Sequence, residues 1–409
     1  MKTTRYTRKA LSFALALALT AASSTAQTSG ETDAGTPALY ARSYELEGKR
    51  EYAEALKAIH SISPKDKNTY FFFLRLAWLY NCSGKYEDAI LHYDKASRVA
   101  LGATEPLLGK LSAEAAAAKW EDAEKTAMAV LKSDLKNYTA RSSLAYAQFM
   151  HRRYRDAQEG YEEVLKLYPS DVTMQSGLGW SLIWQGKRRE AIKVFRDVLE
   201  VSPNNPAIMK SLGKDAPDGP SISANAYQRS YQAEAEGNYV EALKAMDEVA
   251  GEAKLTHTYN LRCGWLNYLN AQYEKAITGY SAALRFAPGT VQALLGRLSA
   301  ETVMGKWEDV TKTADAILRV DPKNYIARSK AAYALFSLNR FQDSERIYQE
   351  LAREYPGDLS AHSGVGWCQL KLDKKTEATR EFKNILQFYP AHELAAKGLE
   401  LLQPTKPAQ

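Results

Sequence analysis

Few side chains in this 409-residue chain stand where they could carry covalent or metal chemistry. The six histidines are His60, His92, His151, His257, His362 and His392. No two of them share the H-x-x-x-H spacing that would bring both imidazoles to one helix face. Gly177-x-Gly179 and Gly364-x-Gly366 could open a phosphate loop, but no strand precedes them and the third glycine is missing. They are expected to let two helices approach closely instead. No G-x-S-x-G nucleophile turn occurs. Cys82, Cys263 and Cys368 are odd in number and far apart, so they imply no disulfide framework and read as small buried side chains. Asn81-Cys-Ser83 and Asn137-Tyr-Thr139 would matter only in a host that glycosylates secreted chains. No catalytic residue, metal ligand or cofactor is assigned.

The chemistry that does recur is aromatic and cationic. Tyr44, Trp78, Tyr146 and Trp180 return 187 residues later as Tyr231, Trp265, Tyr333 and Trp367, with Ser112 and Ser299 at the middle position. Such rings bury a large area with few rotors to freeze and keep a polar edge, which suits contact with an extended peptide or an apolar helix. The alternative is that they pack between neighbouring helices. Arg75 and Arg262 precede two of the tryptophans and could take a carboxylate or phosphate beside a stacking surface. Arg42 with Arg229, and Arg141 with Arg328, form two further pairs at the same offset; pairing with a nearby Glu, or reaching out to water, is the alternative for each.

These residues need elements to hold them. From Val172 to Asn205, Leu178, Gly179 and Leu182, then Ala191, Phe195 and Val198, mark one face each of two helices. Gln185-Gly186 stops the first helix and Pro203 stops the second. The 34-residue hairpin with Leu-Gly, Ala-x-x-x-Phe and Pro resembles a tetratricopeptide repeat, although Gln175 and Leu182 replace that pattern's Trp and Tyr. Units are phased at Thr36, Tyr70, Thr104, Tyr138 and Val172, and again at Ser223, His257, Val291, Tyr325 and Leu359. Their twentieth residues are small: Ala55, Ala89, Ala123, Ala157, Ala191, Ala242, Ala276, Val310, Ser344 and Ala378. Two helices must cross there.

The expected fold is all-α: an α-solenoid of ten 34-residue helix-turn-helix units in two tandem five-repeat modules. The resemblance implies a right-handed superhelix whose concave groove is lined by each first helix. It also implies that the ninth residue of each unit faces that groove, which gives the aromatic set above. Members that clamp a peptide carboxylate carry Asn and Lys there, and this chain carries aromatics.

The ends read differently. Lys2, Arg5, Arg8 and Lys9, then an apolar run of about 13 residues and small residues before Gln27, have the layout of a secretory signal rather than a membrane span. The expected layout is a signal peptide at 1–26, a flexible leader at 27–35, modules at 36–205 and 223–392, a capping helix and linker at 206–222, a capping helix at 393–403 and a disordered tail at 404–409. Removing the four signal charges lowers the net charge from +6 to about +2, so no field for nucleic acid is expected. No transmembrane segment is expected in the mature chain. The reading is a non-enzymatic scaffold for a protein or peptide partner, exported to the periplasm of a Gram-negative bacterium, with envelope assembly as the expected setting. A self-assembling homo-oligomer is the second reading, and an enzyme with an unrecognised site a remote third.

Overall fold

Short polar caps mark where many of the helices begin. Asn137, Asp171, Asn205, Ser221, Thr256, Asn324 and Asp358 each accept a hydrogen bond from a backbone N–H in the first turn that follows. The computed structural model describes residues 35–403, among which every regular element is helical. The expected signal at 1–26, the leader before Gly35 and the tail at 404–409 lie outside the described residues.

In the first series α1 (Thr36–Gly48) pairs with α2 (Tyr52–His60), α3 (Tyr70–Cys82) with α4 (Tyr86–Val99) and α5 (Glu105–Ala116) with α6 (Trp120–Ser133). Then α7 (Tyr138–Met150) pairs with α8 (Tyr154–Leu167) and α9 (Val172–Trp184) with α10 (Arg188–Val201), before the short α11 (Pro206–Leu212). In the second series α12 (Ile222–Ala235) pairs with α13 (Tyr239–Asp247), α14 (His257–Leu269) with α15 (Tyr273–Phe286) and α16 (Val291–Val303) with α17 (Trp307–Val320). There follow α18 (Tyr325–Ser337) and α19 (Phe341–Glu354), then α20 (Leu359–Lys371) paired with α21 (Lys375–Phe388), and finally α22 (Glu393–Leu402). The fold is an α-solenoid of helical hairpins.

Two unit starts move by one residue, to Glu105 and Ile222. The second helices of the first unit in each series are short. Pro64 and Gly251 stand where those helices would continue, and each gives way to a 3-10 turn.

The hairpin turn is the same throughout. The fifteenth residue of every unit has φ between 56° and 79°, and at Arg50, Ala118, Arg152, Ala271, Asn339 and Asp373 it is not glycine. A Cβ in the left-handed region costs about 1–2 kcal/mol, partly offset by the stiffer unfolded chain. Ala271→Gly is therefore expected to stabilise the fold by up to about 1 kcal/mol, read as a higher denaturant midpoint in urea.

Packing follows volume compensation across each hairpin. The twentieth residues are all 0–1% exposed, as a close crossing requires. A second pair, four residues further along the second helix, trades size with the eighth residue of the unit. Gly179 faces Phe195, Gly264 faces Tyr280 and Gly366 faces Phe382; a Cβ on Gly179 would lie 2.3 Å from the Phe195 ring. In the third unit of each series the sizes reverse, with Leu111 and Ala127, and Leu298 and Ala314, all fully buried. The Gly-x-Gly motifs are thus close-packing glycines, with Tyr161 and Tyr348 closing on Gly177 and Gly364.

The described chain forms two compact units that cut across the sequence duplication. Unit 1 joins the residues up to Val130 with those from Arg340 onward, and unit 2 is Leu131–Asn339. Inside unit 1 the first and last hairpins meet. Phe388 of α21 stacks on Phe71 at 4.1 Å and meets Tyr40 edge-on at 5.5 Å. Thr104 N–H donates to Glu354 O at 2.8 Å. In unit 2 Val201 of α10 joins a core with Ala226 and Tyr227 of α12. There α11 buries Ile208 and Leu212 beside Phe195, while in unit 1 α22 closes over Phe382 with Ala395.

Candidate functional site

Tyr44, Arg75 and Trp78 form one assembly in unit 1 and Tyr231, Arg262 and Trp265 its counterpart in unit 2, and the clamp at the centre of each is a glutamate. In unit 1, Arg75 Nη1 donates to Glu47 Oε2 at 2.5 Å and Arg75 Nε to Ser43 Oγ at 3.0 Å. Trp78 Nε1 donates to the other oxygen of Glu47. The guanidinium lies 3.8 Å from the Tyr44 ring centroid. In unit 2 the same roles fall to Arg262, Glu234, Ser230, Trp265 and Tyr231, with the cation 3.9 Å from the ring. Both arginines are buried, at 6% and 7% exposure.

That burial changes the expectation for Arg75 and Arg262. Each cation lies beside an opposite charge with its planar face on an aromatic ring, and only Nη2 of Arg75 is buried without a hydrogen-bond partner. Neither guanidinium is presented to a ligand; each braces two ring-bearing helices, α1 with α3 and α12 with α14. The sequence signal for this lies in Ser43-Tyr44 with Glu47 and Ser230-Tyr231 with Glu234, but nothing in the sequence marks the two glutamates as buried acceptors.

The eight aromatic positions separate into two groups. Trp78 and Trp265 are half-buried and tied by their indole N–H groups. Trp180 and Trp367 are half-buried edge-on against Phe195 and Phe382, at 5.0 and 5.8 Å. Tyr44 meets Tyr389 at 4.8 Å. Tyr146, Tyr231 and Tyr333, all in unit 2, keep 39%, 43% and 47% of their surface exposed. Ser202 stands in unit 2 where the offset places the counterpart of Tyr389, so no ring covers Tyr231 in the same way. Tyr333 is held edge-on by Trp307 at 5.3 Å.

The remaining arginine pairs have local partners. Arg42 bonds Glu45, and Arg229 forks onto Glu248, both at the surface. Arg141 donates to Leu135 O at 2.6 Å, and Arg328 is buried. Burial pushes the Cys82 and Cys368 thiols up to about 11, away from thiolate chemistry at neutral pH. Among the described residues no group of three His, Cys, Asp or Glu is placed to hold a metal ion. No described helix is long and apolar enough to cross a membrane.

A family model described as tetratricopeptide repeat matches residues 108–172, 150–206, 304–359 and 329–392. No curated protein matches the chain. Solved structures with a similar arrangement include MamA from residue 41 onward of Desulfovibrio magneticus, at 15% identity over 41% of this chain and 95% of that one, with a TM-score of 0.39. Yeast Tom70 is 13% identical over 90% of this chain and 94% of its own, with a TM-score of 0.36. A tetratricopeptide repeat protein from Parabacteroides merdae is 17% identical over 65% and 98%, with a TM-score of 0.32.

Proposed function

Since the chain belongs to the tetratricopeptide repeat family, and so to a class of protein–protein interaction scaffolds, we propose that it holds an extended peptide segment of a partner on the tyrosine surface of unit 2. The observation that carries this is the exposure of Tyr146, Tyr231 and Tyr333 at the ninth position of their units, while the tryptophans at that position are tied into the core. Rings anchored from behind and open in front lose little freedom on contact with a partner. A peptide with apolar or aromatic side chains matches them.

We further propose export through residues 1–26 and a role in assembly at the cell envelope. The basic, apolar and small-residue order of that segment supports the reading. Self-assembly through the chain's ends is less favoured, because α1 already packs against Phe388 and Tyr389 of unit 1.

Crosslinking in an envelope extract, followed by mass spectrometry, tests the proposal when run beside Tyr146→Ala/Tyr231→Ala/Tyr333→Ala. The variant should keep its helical circular dichroism and lose the captured partner. Equal capture by a folded variant, or a homo-oligomer by light scattering with no partner, would count against it.

A further inference from the structure

The two series differ at one place in a coordinated way. An open pocket of about 540 Å³ lies among α19, α20 and α21 of unit 1. Ala352, Val365, Gln369 and Glu381 line it. Their counterparts 187 residues earlier are Leu165, Leu178, Leu182 and Val194, which all pack into apolar clusters. Two of these side chains have been trimmed in the second series and two have become polar. Trimming packed leucines and burying an amide both destabilise a fold, and the first series shows that the fold requires neither.

The Gln369 amide is not spent on its polar neighbours. Gln369 is only 6% exposed, its Oε1 is fully buried, and its amide makes no hydrogen bond to a described residue. His362 Nδ1 faces Glu381 Oε2 and Nε2 faces Pro356 O, each at 3.2 Å, so both ring nitrogens meet acceptors. Burial pushes the imidazole down, but the Glu381 hydrogen bond and charge, the Pro356 carbonyl and the Asp358 charge together hold the ring above its ordinary value. Glu381 is thereby engaged by His362. Arg353 and Arg380, also on the rim, have no acidic partner among the described residues, and Arg353 bonds only Gln349 O. Two guanidinium groups without an acidic partner among the described residues thus border the pocket.

We propose that this pocket binds a small molecule bearing an oxyanion, a carboxylate or a phosphate, taken by Arg353 and Arg380 with a neighbouring polar group on the Gln369 amide. The volume lies within the roughly 300–1,000 Å³ of small-molecule sites. Guanidinium groups are matched to both oxyanions by their forked donors. The site is separate from the tyrosine surface and its test is independent of any protein partner.

The test is calorimetric titration of the full chain, at fixed ionic strength, with inorganic phosphate, glycerol 3-phosphate and citrate, while NMR follows the His362 ring. At least one probe should bind saturably, one per chain, and shift that ring. Arg353→Ala/Arg380→Ala, at exposed positions, should weaken binding at least tenfold. Gln369→Leu, which restores the residue of the first series, should abolish binding and raise the melting temperature. A response confined to the phosphates assigns a phosphate ligand, and one confined to citrate a carboxylate. No saturable binding of any probe, or undiminished affinity in the double-arginine variant, overturns the proposal.

Discussion

Phe195→Ala is expected to destabilise the fold by about 3–5 kcal/mol, and Gly179→Leu to do comparable damage, while the two together recover most of the loss. Phe195 is fully buried in the cluster with Leu182, Val198, Ile208 and Leu212. Truncating it opens a cavity that rigid helices cannot close. Adding even a Cβ at Gly179 would press within 2.3 Å of the ring, so Leu there must force the hairpin apart while Phe195 remains. The double variant copies the arrangement already present at Leu111 with Ala127 and at Leu298 with Ala314. Chemical denaturation of the wild type, both single variants and the double closes the cycle. A coupling of about 2 kcal/mol or more is expected from two side chains sharing one space. Additive losses would show that the paired sizes are coincidental.

That pairing explains what is legible in the sequence. Ala89, Ala157 and Ala276 sit at a fixed interval because each hairpin must solve the same crossing, so period and side-chain size reveal the helices and their phase. The left-handed fifteenth residue is hidden because Arg50, Arg152 and Ala271 are not glycines, and only the surrounding hairpin holds them there. Arg75 and Arg262 are recognisable in the sequence as neighbours of the aromatic set, but a guanidinium reads the same whether it faces solvent or Glu47. The meeting of α1 with α21 involves Tyr40 and Phe388, far apart in the chain and bound by no repeating pattern. The oxyanion pocket shows only in the position-by-position difference between the two series, because its meaning lies in Leu182 having become Gln369.

The same offset relates two contacts that should respond to pH in opposite directions. In unit 1, Glu105 Oε2 accepts from Tyr70 Oη and from Gly357 N–H, both at 2.7 Å. In unit 2, the residues at the same offset are Gln292, His257 and Ser170: Gln292 Oε1 accepts from Ser170 N–H at 3.2 Å, and His257 bonds Ser170 Oγ at 2.8 Å and Thr290 Oγ1 at 3.2 Å. Burial raises the Glu105 carboxyl to about 7, against the lowering pull of Tyr70 and Gly357, with Asp358 raising it and His362 lowering it. Its folded value lies above its unfolded one, so its contribution is complete below about pH 4.5 and is lost as pH rises through 7. Burial lowers His257 to about 4, so its contribution is complete above about pH 6.5 and is lost as pH falls through 4. The expected result is faster hydrogen exchange at Gly357 N–H above pH 7 and at Ser170 N–H near pH 4, after correction for the intrinsic rate. The first change is worth up to about 3 kcal/mol. Glu105→Gln, which places in unit 1 the side chain unit 2 already uses, should flatten the response at Gly357 and leave Ser170 untouched. A Gly357 response that survives in Glu105→Gln would assign the titration to a group other than Glu105.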